Sequence, residues 1–379
     1  MDLSAIVVAS GFVLGFIFGA VGSRTNFCVM GAISDVVNMG SWNRMRMWLL
    51  AIAVAIIGAN ALQVFGTIDL SRSIYQTANF AWLSYVIGGI AMGIGMTLAS
   101  GCPSKTLMRM GGGNLKSLIV FVFIAISAYM MLKGLFGVWR VQFLQPLALE
   151  FSGPQDLPSI VARASETAQA GWQIVLSALI AGGLLAFVFS RPEFRSAGNI
   201  LGGFTVGLVV VAGWYVTGNI GYAENPETLE MAHVATNSHL AESLSMVAPA
   251  AYGLELLLLW SDASLHMTFG IAATIGVVLG AFSYAAASQS FQWEGFHTVG
   301  DMGNHLLGGA LMGAGGVLSL GCTVGQGITG LSTLAVGSIV TFFCIIIGAA
   351  ATMKYQYWKI VREEKPVTRD KEFNLKRTA

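Results

Sequence analysis

Charge is scarce in this chain. Only 10% of its 379 residues are Asp, Glu, Lys or Arg, against about a quarter in a soluble domain. So few ionic groups cannot cover the outside of a water-soluble globule of this size. The net charge is +1, and nothing in the chain calls for a nucleic-acid partner. Cysteine is equally sparse. The four thiols, at 28, 102, 322 and 344, include no Cys-x-x-Cys pair. That spacing excludes a zinc ribbon and a dithiol redox motif, and it gives no sign of a disulfide framework. Histidine supplies no standard ligand set either, because His233 and His239 are spaced like residues of a solvated loop. No metal and no cofactor are expected. The N-terminus has Asp2 in place of a basic region and lacks a clear cleavage site, so it reads as a first span and not as a signal peptide.

Apolar residues are abundant, at 55% of the chain, with a mean hydropathy of +0.70. The sequence predicts an all-α polytopic membrane protein forming a single transmembrane domain. Nine runs are long enough to cross about 30 Å of hydrocarbon: 4–22, 45–66, 81–100, 115–136, 171–190, 198–216, 264–287, 301–320 and 331–353. They are rich in the chain's 47 glycines, and small residues let membrane helices approach closely. Four further segments are too apolar for loops and too short or broken to span. These are Asn26–Val37, Cys102–Met110, Ser243–Trp260 and Cys322–Leu331. Non-helical backbone at membrane depth survives only inside protein or against water, so they read as re-entrant half-helices.

Charge placement orients this layout. With the basic tail 354–379 in the cytoplasm, sixteen of the twenty Lys and Arg fall on that side, in agreement with the positive-inside rule. The N-terminus is then periplasmic. The outer segment 217–245 carries Glu224, Glu227, Glu230 and Glu242 with no Lys or Arg. An odd fifth span, 171–190, links a first repeat at 4–136 to a second at 198–353. The second then runs opposite to the first, as in inverted-repeat transporters with broken helices and an hourglass shape.

The repeat is visible in the residues themselves. Gly88-Gly-Ile-Ala-Met-Gly-Ile-Gly-Met-Thr-Leu-Ala-Ser-Gly-Cys102 returns as Gly308-Gly-Ala-Leu-Met-Gly-Ala-Gly-Gly-Val-Leu-Ser-Leu-Gly-Cys322, identical at eight of fifteen positions. Pro103 follows Cys102, and proline favours the first helical position, so Cys102 reads as an N-cap with Ser104 and Lys105 behind it. A helix N-terminus presents free amides and partial positive charge to anions. Cys322 is followed by Thr323 and Gln326, which would add a hydroxyl and an amide at the opposite apex. Cys28 begins another half-helix but has no counterpart in the repeat, so packing and function stay open for it. Lys105 and Arg109 either attract anions at an inner mouth or simply obey the orientation rule. Glu255 lies in an apolar run, where acids are functional suspects, or it ends a half-helix near water. Asp301 and His305 share a helix face as a proton relay or an interfacial cap. Cys344 reads as a packing residue.

Arg-x-x-Phe-Cys28 with the two Gly-Gly…Gly-Cys signatures resembles the YeeE/YedE sulfur-transport family over nearly the whole chain. The resemblance implies thiosulfate uptake across a bacterial inner membrane and an hourglass inverted-repeat fold. It also implies that the pathway thiols Cys28, Cys102 and Cys322 contact the ion in turn. It implies a TusA-like sulfurtransferase as cytoplasmic partner, of which this chain contains no copy; membrane lipid surrounds it. The expected substrate-binding residues are therefore Cys28, Cys102, Cys322, Thr323, Gln326, Ser104 and Lys105, with no catalytic residue. A membrane thiol redox enzyme and a passive small-solute channel are the alternatives. The middle segment 137–170 matches no motif.

Overall fold

The structure is a computed structural model that describes residues 3–224, 231–296 and 298–375, with side chains to 362. Glu227, Glu230 and the basic side chains of the tail beyond Arg362 lie outside what is described. In chain order the helices are α1 (Leu3–Thr25), α2 (Val29–Ser34), α3 (Asn43–Val64), α4 (Trp82–Leu98), α5 (Pro103–Gly111), α6 (Leu115–Leu132) and α7 (Leu135–Trp139). They continue as α8 (Leu157–Ser165), α9 (Gln169–Phe189), α10 (Ala197–Tyr215), α11 (Ala248–Leu258), α12 (Phe269–Ala287), α13 (Val299–Leu318) and α14 (Val336–Leu375). Among the described residues, sheet is confined to two small antiparallel pairs: β1 (Asn79–Phe80) with β2 (Leu149–Glu150), and β3 (Tyr222–Glu224) with β4 (Met231–His233).

Among the described residues, eight helical segments are long and apolar enough to cross a membrane. The expected ninth span is α13. Its 20 residues suffice in length, but Asp301, Asn304 and His305 in its first turns dilute its hydropathy. It nevertheless packs between α4 and α6. The molecule is thus an all-α polytopic membrane protein.

The glycine signature explains how α4 and α13 meet. A methyl group on Gly88 or Gly95 would lie 2.7 Å from the carbonyl oxygen of Gly315 or Gly308 respectively, and the reverse placements give 2.7 and 2.6 Å. Only a hydrogen at each position permits this approach. Gly88 opposes Gly315 while Gly95 opposes Gly308, so the two helices cross antiparallel. The next glycines of each copy face outward in the same way. Gly89 and Gly93 seat α14 against α4, and Gly309 and Gly313 seat α6 against α13.

The four broken segments exist, with altered bounds. Asn26–Val37 becomes α2 followed by a π-helical turn, Asp35–Met39. Cys102–Met110 becomes α5. Ser243–Trp260 is helical only from Ala248, at α11. Cys322–Leu331 winds mainly as a π-helix, Gly325–Gly330. Such wide turns are uncommon and gather at functional sites. The unmatched middle segment is ordered: Leu157 N donates to Leu334 O and Val336 N to Gln155 O, tying it to the start of α14.

Candidate functional site

All three expected thiols sit in the same local structure. Asn26, Ser100 and Leu320 adopt left-handed backbone conformations, with φ of +52°, +54° and +57°. Each lies two residues before a cysteine. In each case the next residue closes the turn across six residues: Phe27 N to Gly22 O, Gly101 N to Met96 O, and Gly321 N to Gly316 O. This is the Schellman ending of a helix, in which the left-handed residue is usually glycine. Here glycine or phenylalanine falls one position later, and the strained residue is Asn, Ser or Leu. A non-glycine residue pays roughly 1–2 kcal/mol in that conformation. The turn ends one helix, and the cysteine immediately begins the next element. Cys28 and Cys102 are the N-caps of α2 and α5 in extended backbone, and Pro103 occupies the first turn as expected.

These turns bring the thiols together. Cys28 Sγ lies 3.9 Å from Cys102 Sγ, and Cys102 Sγ lies 3.2 Å from Ser104 Oγ. Gly31 N donates to Cys28 Sγ at 3.5 Å. Cys322 Sγ accepts from Gly325 N and from Met246 N, each at 3.4 Å. In the first half, therefore, one broken segment touches the other thiol to thiol. In the second half the segment before α11 touches the cysteine turn through a backbone amide. Thr323 comes near Cys102 without a hydrogen bond to it, and among the described residues its Oγ1 has no partner. Cys102, Ser104, Cys322 and Thr323 are all completely buried.

The other expected residues border this group. Lys105 donates to Asn26 Oδ1 at 3.1 Å, a neutral partner, and its positive charge lies near Cys28 and Cys102. Gln326 gives its amide N–H to Ser319 O, while its Oε1 finds no donor. Arg109 instead holds the Schellman turn, donating to Ser100 O at 2.8 Å. It also lines a cleft of about 440 Å³ with Lys116, Glu294, Asp301 and His305. That cleft contains no cysteine and lies at the far end of α5.

Several suspects have structural roles. Glu255 is buried but bonded to Lys133 Nζ at 2.6 Å. Asp301 links His305 at 3.0 Å and Lys116 at 3.2 Å, while Thr298 supplies the α13 cap. Among the described residues no His, Cys, Asp and Glu cluster could hold a metal; His233 Nδ1 lies 2.9 Å from Thr217 O. Cys344 packs beside Gly89.

Sequence reasoning missed Tyr75. It is buried, and its hydroxyl would lie 3.5 Å from a Cβ on Gly325, next to Ser245. It lies between apolar spans with no repeat partner, so no pattern marks it. It also passed over Asn26, whose signal was present. Asn is among the residues most tolerant of left-handed backbone, and Asn-x-Cys28 repeats the geometry of Ser-Gly-Cys102.

Fold and site together define a polytopic membrane protein whose broken helices gather buried thiols at their starts. A family model described as sulphur transport matches residues 24–351, and the chain belongs to that family. It is a membrane transporter and not an enzyme. Among curated relatives, the thiosulfate transporter TsuA of Escherichia coli is 24% identical over 342 residues, covering 85% of this chain and 87% of the relative. The thiosulfate transporter TsuA of Spirochaeta thermophila is 26% identical over 383 residues, covering 90% and 97%.

Proposed function

We propose that the protein carries thiosulfate, or a closely related small sulfur oxyanion, inward across a bacterial inner membrane along a line formed by Cys28, Cys102 and Cys322. The observation that carries this reading is that three thiols from distant segments occupy the same helix-starting turn, with two of them 3.9 Å apart in the buried interior. The relatives named as thiosulfate transporters support the substrate. Ser104, Thr323 and Gln326 add polar contacts, and Lys105 draws the anion toward the thiols.

The path works by weak, repeated contact. A thiol is a neutral, weak donor with a polarizable sulfur. Several such sites in series hand on a soft sulfur anion without trapping it. Neutral thiols suit this passage, since thiolates would repel a dianion. We further propose two inverted halves, 4–136 and 198–353, linked by 171–190, with a periplasmic N-terminus and the tail 354–379 in the cytoplasm. The antiparallel crossing of the two glycine signatures supports that symmetry, and the sixteen basic residues placed inside support the orientation.

Driving force limits the mechanism. Moving a dianion against 100 mV, inside negative, costs about 4.6 kcal/mol, more than three decades of concentration ratio. A cytoplasmic TusA-like sulfurtransferase that consumes the ion on arrival meets that cost. The reading is tested by replacing Cys102 or Cys322 singly with Ala and measuring thiosulfate-dependent growth of a strain lacking other uptake routes. Growth is expected to fail. Undiminished growth from well-expressed variants sinks the thiol path.

A further inference from the structure

Four buried donors near the thiols find no acceptor among the described residues: Thr323 Oγ1, Ser338 Oγ, Thr341 Oγ1 and Trp48 Nε1. Their residues are at most 2% exposed. The hydroxyl of Ser23 on α1 shares this property, whereas many other helical Ser and Thr do not. Thr97, Ser127, Thr274, Ser319 and Thr352 all turn back onto the carbonyl four residues earlier. Buried polar groups are almost always paired, and each exception calls for an explanation.

The four belong to one neighbourhood. Thr323 directly follows Cys322 and comes near Cys102 without bonding it. Gln326, three residues on, places its Oε1 beside Ser338 Oγ, and a Cβ on Gly330 would run into both. Thr341 lies one turn further along α14 from Ser338, next to Phe342. The Phe342 ring stacks on Trp48 at 6.4 Å, and Trp48 stacks on Phe27, the neighbour of Cys28, at 4.8 Å. Gly327 supplies the space at this junction, since its Cβ would strike Phe342.

We propose that these three hydroxyls and the indole N–H form a neutral donor set that takes the oxygen end of the transported oxyanion while the thiols of Cys28 and Cys102 face its sulfur. This deepens the reading above and rests on it. A sulfur oxyanion has oxygens that only accept, and the group offers donors without a counter-charge. Such a set orients the ion yet releases it, as conduction requires. Gln326 Oε1 lies beside Ser338 Oγ without bonding it, which leaves that hydroxyl free to donate to the ion.

The test measures thiosulfate uptake by purified full-length protein in liposomes, with sulfate and hydrosulfide as competitors. Ser338→Ala and Thr341→Val are each expected to raise KM for thiosulfate about fivefold, the worth of one hydrogen bond. They should weaken competition by sulfate in the same proportion and leave competition by oxygen-free hydrosulfide unchanged. Thr341→Ser keeps the hydroxyl and should keep the wild-type KM, which guards against a variant that merely misfolds. Unchanged KM and unchanged sulfate competition in folded Ser338→Ala and Thr341→Val would overturn the proposal and mean that water alone satisfies these groups. Absence of thiosulfate uptake by the wild type would instead overturn the substrate reading itself.

Discussion

At the scale of the residue, the three thiol turns share one costly feature: a non-glycine residue in left-handed backbone two positions before each cysteine. Strain of this kind persists where the surroundings over-determine it, and it gathers at working sites. Leu320 is the most informative case, because leucine gains nothing from that conformation. Leu320→Gly removes the strain but loosens the unfolded chain, so the expected net gain is on the order of 0.5–1 kcal/mol. A rise in the thermal midpoint of detergent-solubilised protein checks it. A fall would mean that the leucine side chain contributes more than its backbone costs. Lys105 offers a second residue-scale prediction. Its charge is held by a neutral asparagine, so it acts at a distance. Lys105→Gln should lower the initial uptake rate several-fold at low ionic strength and less at high salt, since screening already weakens steering there. Equal loss at both salts would argue for a contact role.

At the scale of the element, the antiparallel glycine crossing of α4 and α13 is the least forgiving contact. A side chain at Gly95 must displace the α13 backbone at Gly308, and backbone does not give way as a side-chain tip does. Gly95→Leu is expected to abolish monodisperse folded protein on size-exclusion chromatography, whereas Gly182→Leu on α9, where a Cβ meets nothing, should not. The β3–β4 hairpin makes a pH prediction. Burial holds His233 below the usual histidine range, and its bond to Thr217 O opposes this only in part. The unfolded chain therefore takes up a proton, near pH 6.5, that the folded hairpin refuses. Stability is full above that pH and falls as pH drops through it. The midpoint of His233→Gln should accordingly fall less than that of the wild type between pH 7 and pH 5. Both broken-helix pairs and the glycine-rich spans were legible in the sequence, since length and apolarity alone mark them. Their bounds were less legible. The π-helical turns at Asp35–Met39 and Gly325–Gly330 depend on what packs around them, and no periodicity announces them.

At the scale of the whole molecule, the charge of the cargo governs behaviour. If the path carries a dianion without a coupled cation, an imposed inside-negative potential should slow uptake into liposomes and an inside-positive one should speed it. Uptake indifferent to potential would require charge compensation by a co-transported ion. The polar clasp of Lys116, Glu294, Asp301 and His305 is an example of what the sequence could not place. Its members come from α6, α13 and the segment between α12 and α13, so no local pattern contains it.

The sequence by itself determined that the chain lies in a membrane, that a glycine signature closing in Gly-Cys occurs twice, and that Cys102 and Cys322 are the thiols to watch. Those properties follow from composition and from local backbone preference, which are written in neighbouring residues. Only the tertiary structure decided that Cys28 meets Cys102, that Thr323 comes near Cys102, and that Ser338, Thr341 and Trp48 keep unpaired donors close by. Such contacts join residues tens to hundreds of positions apart. They are set by how closely packed helices can approach, a property of pairs of elements that no single stretch of sequence contains.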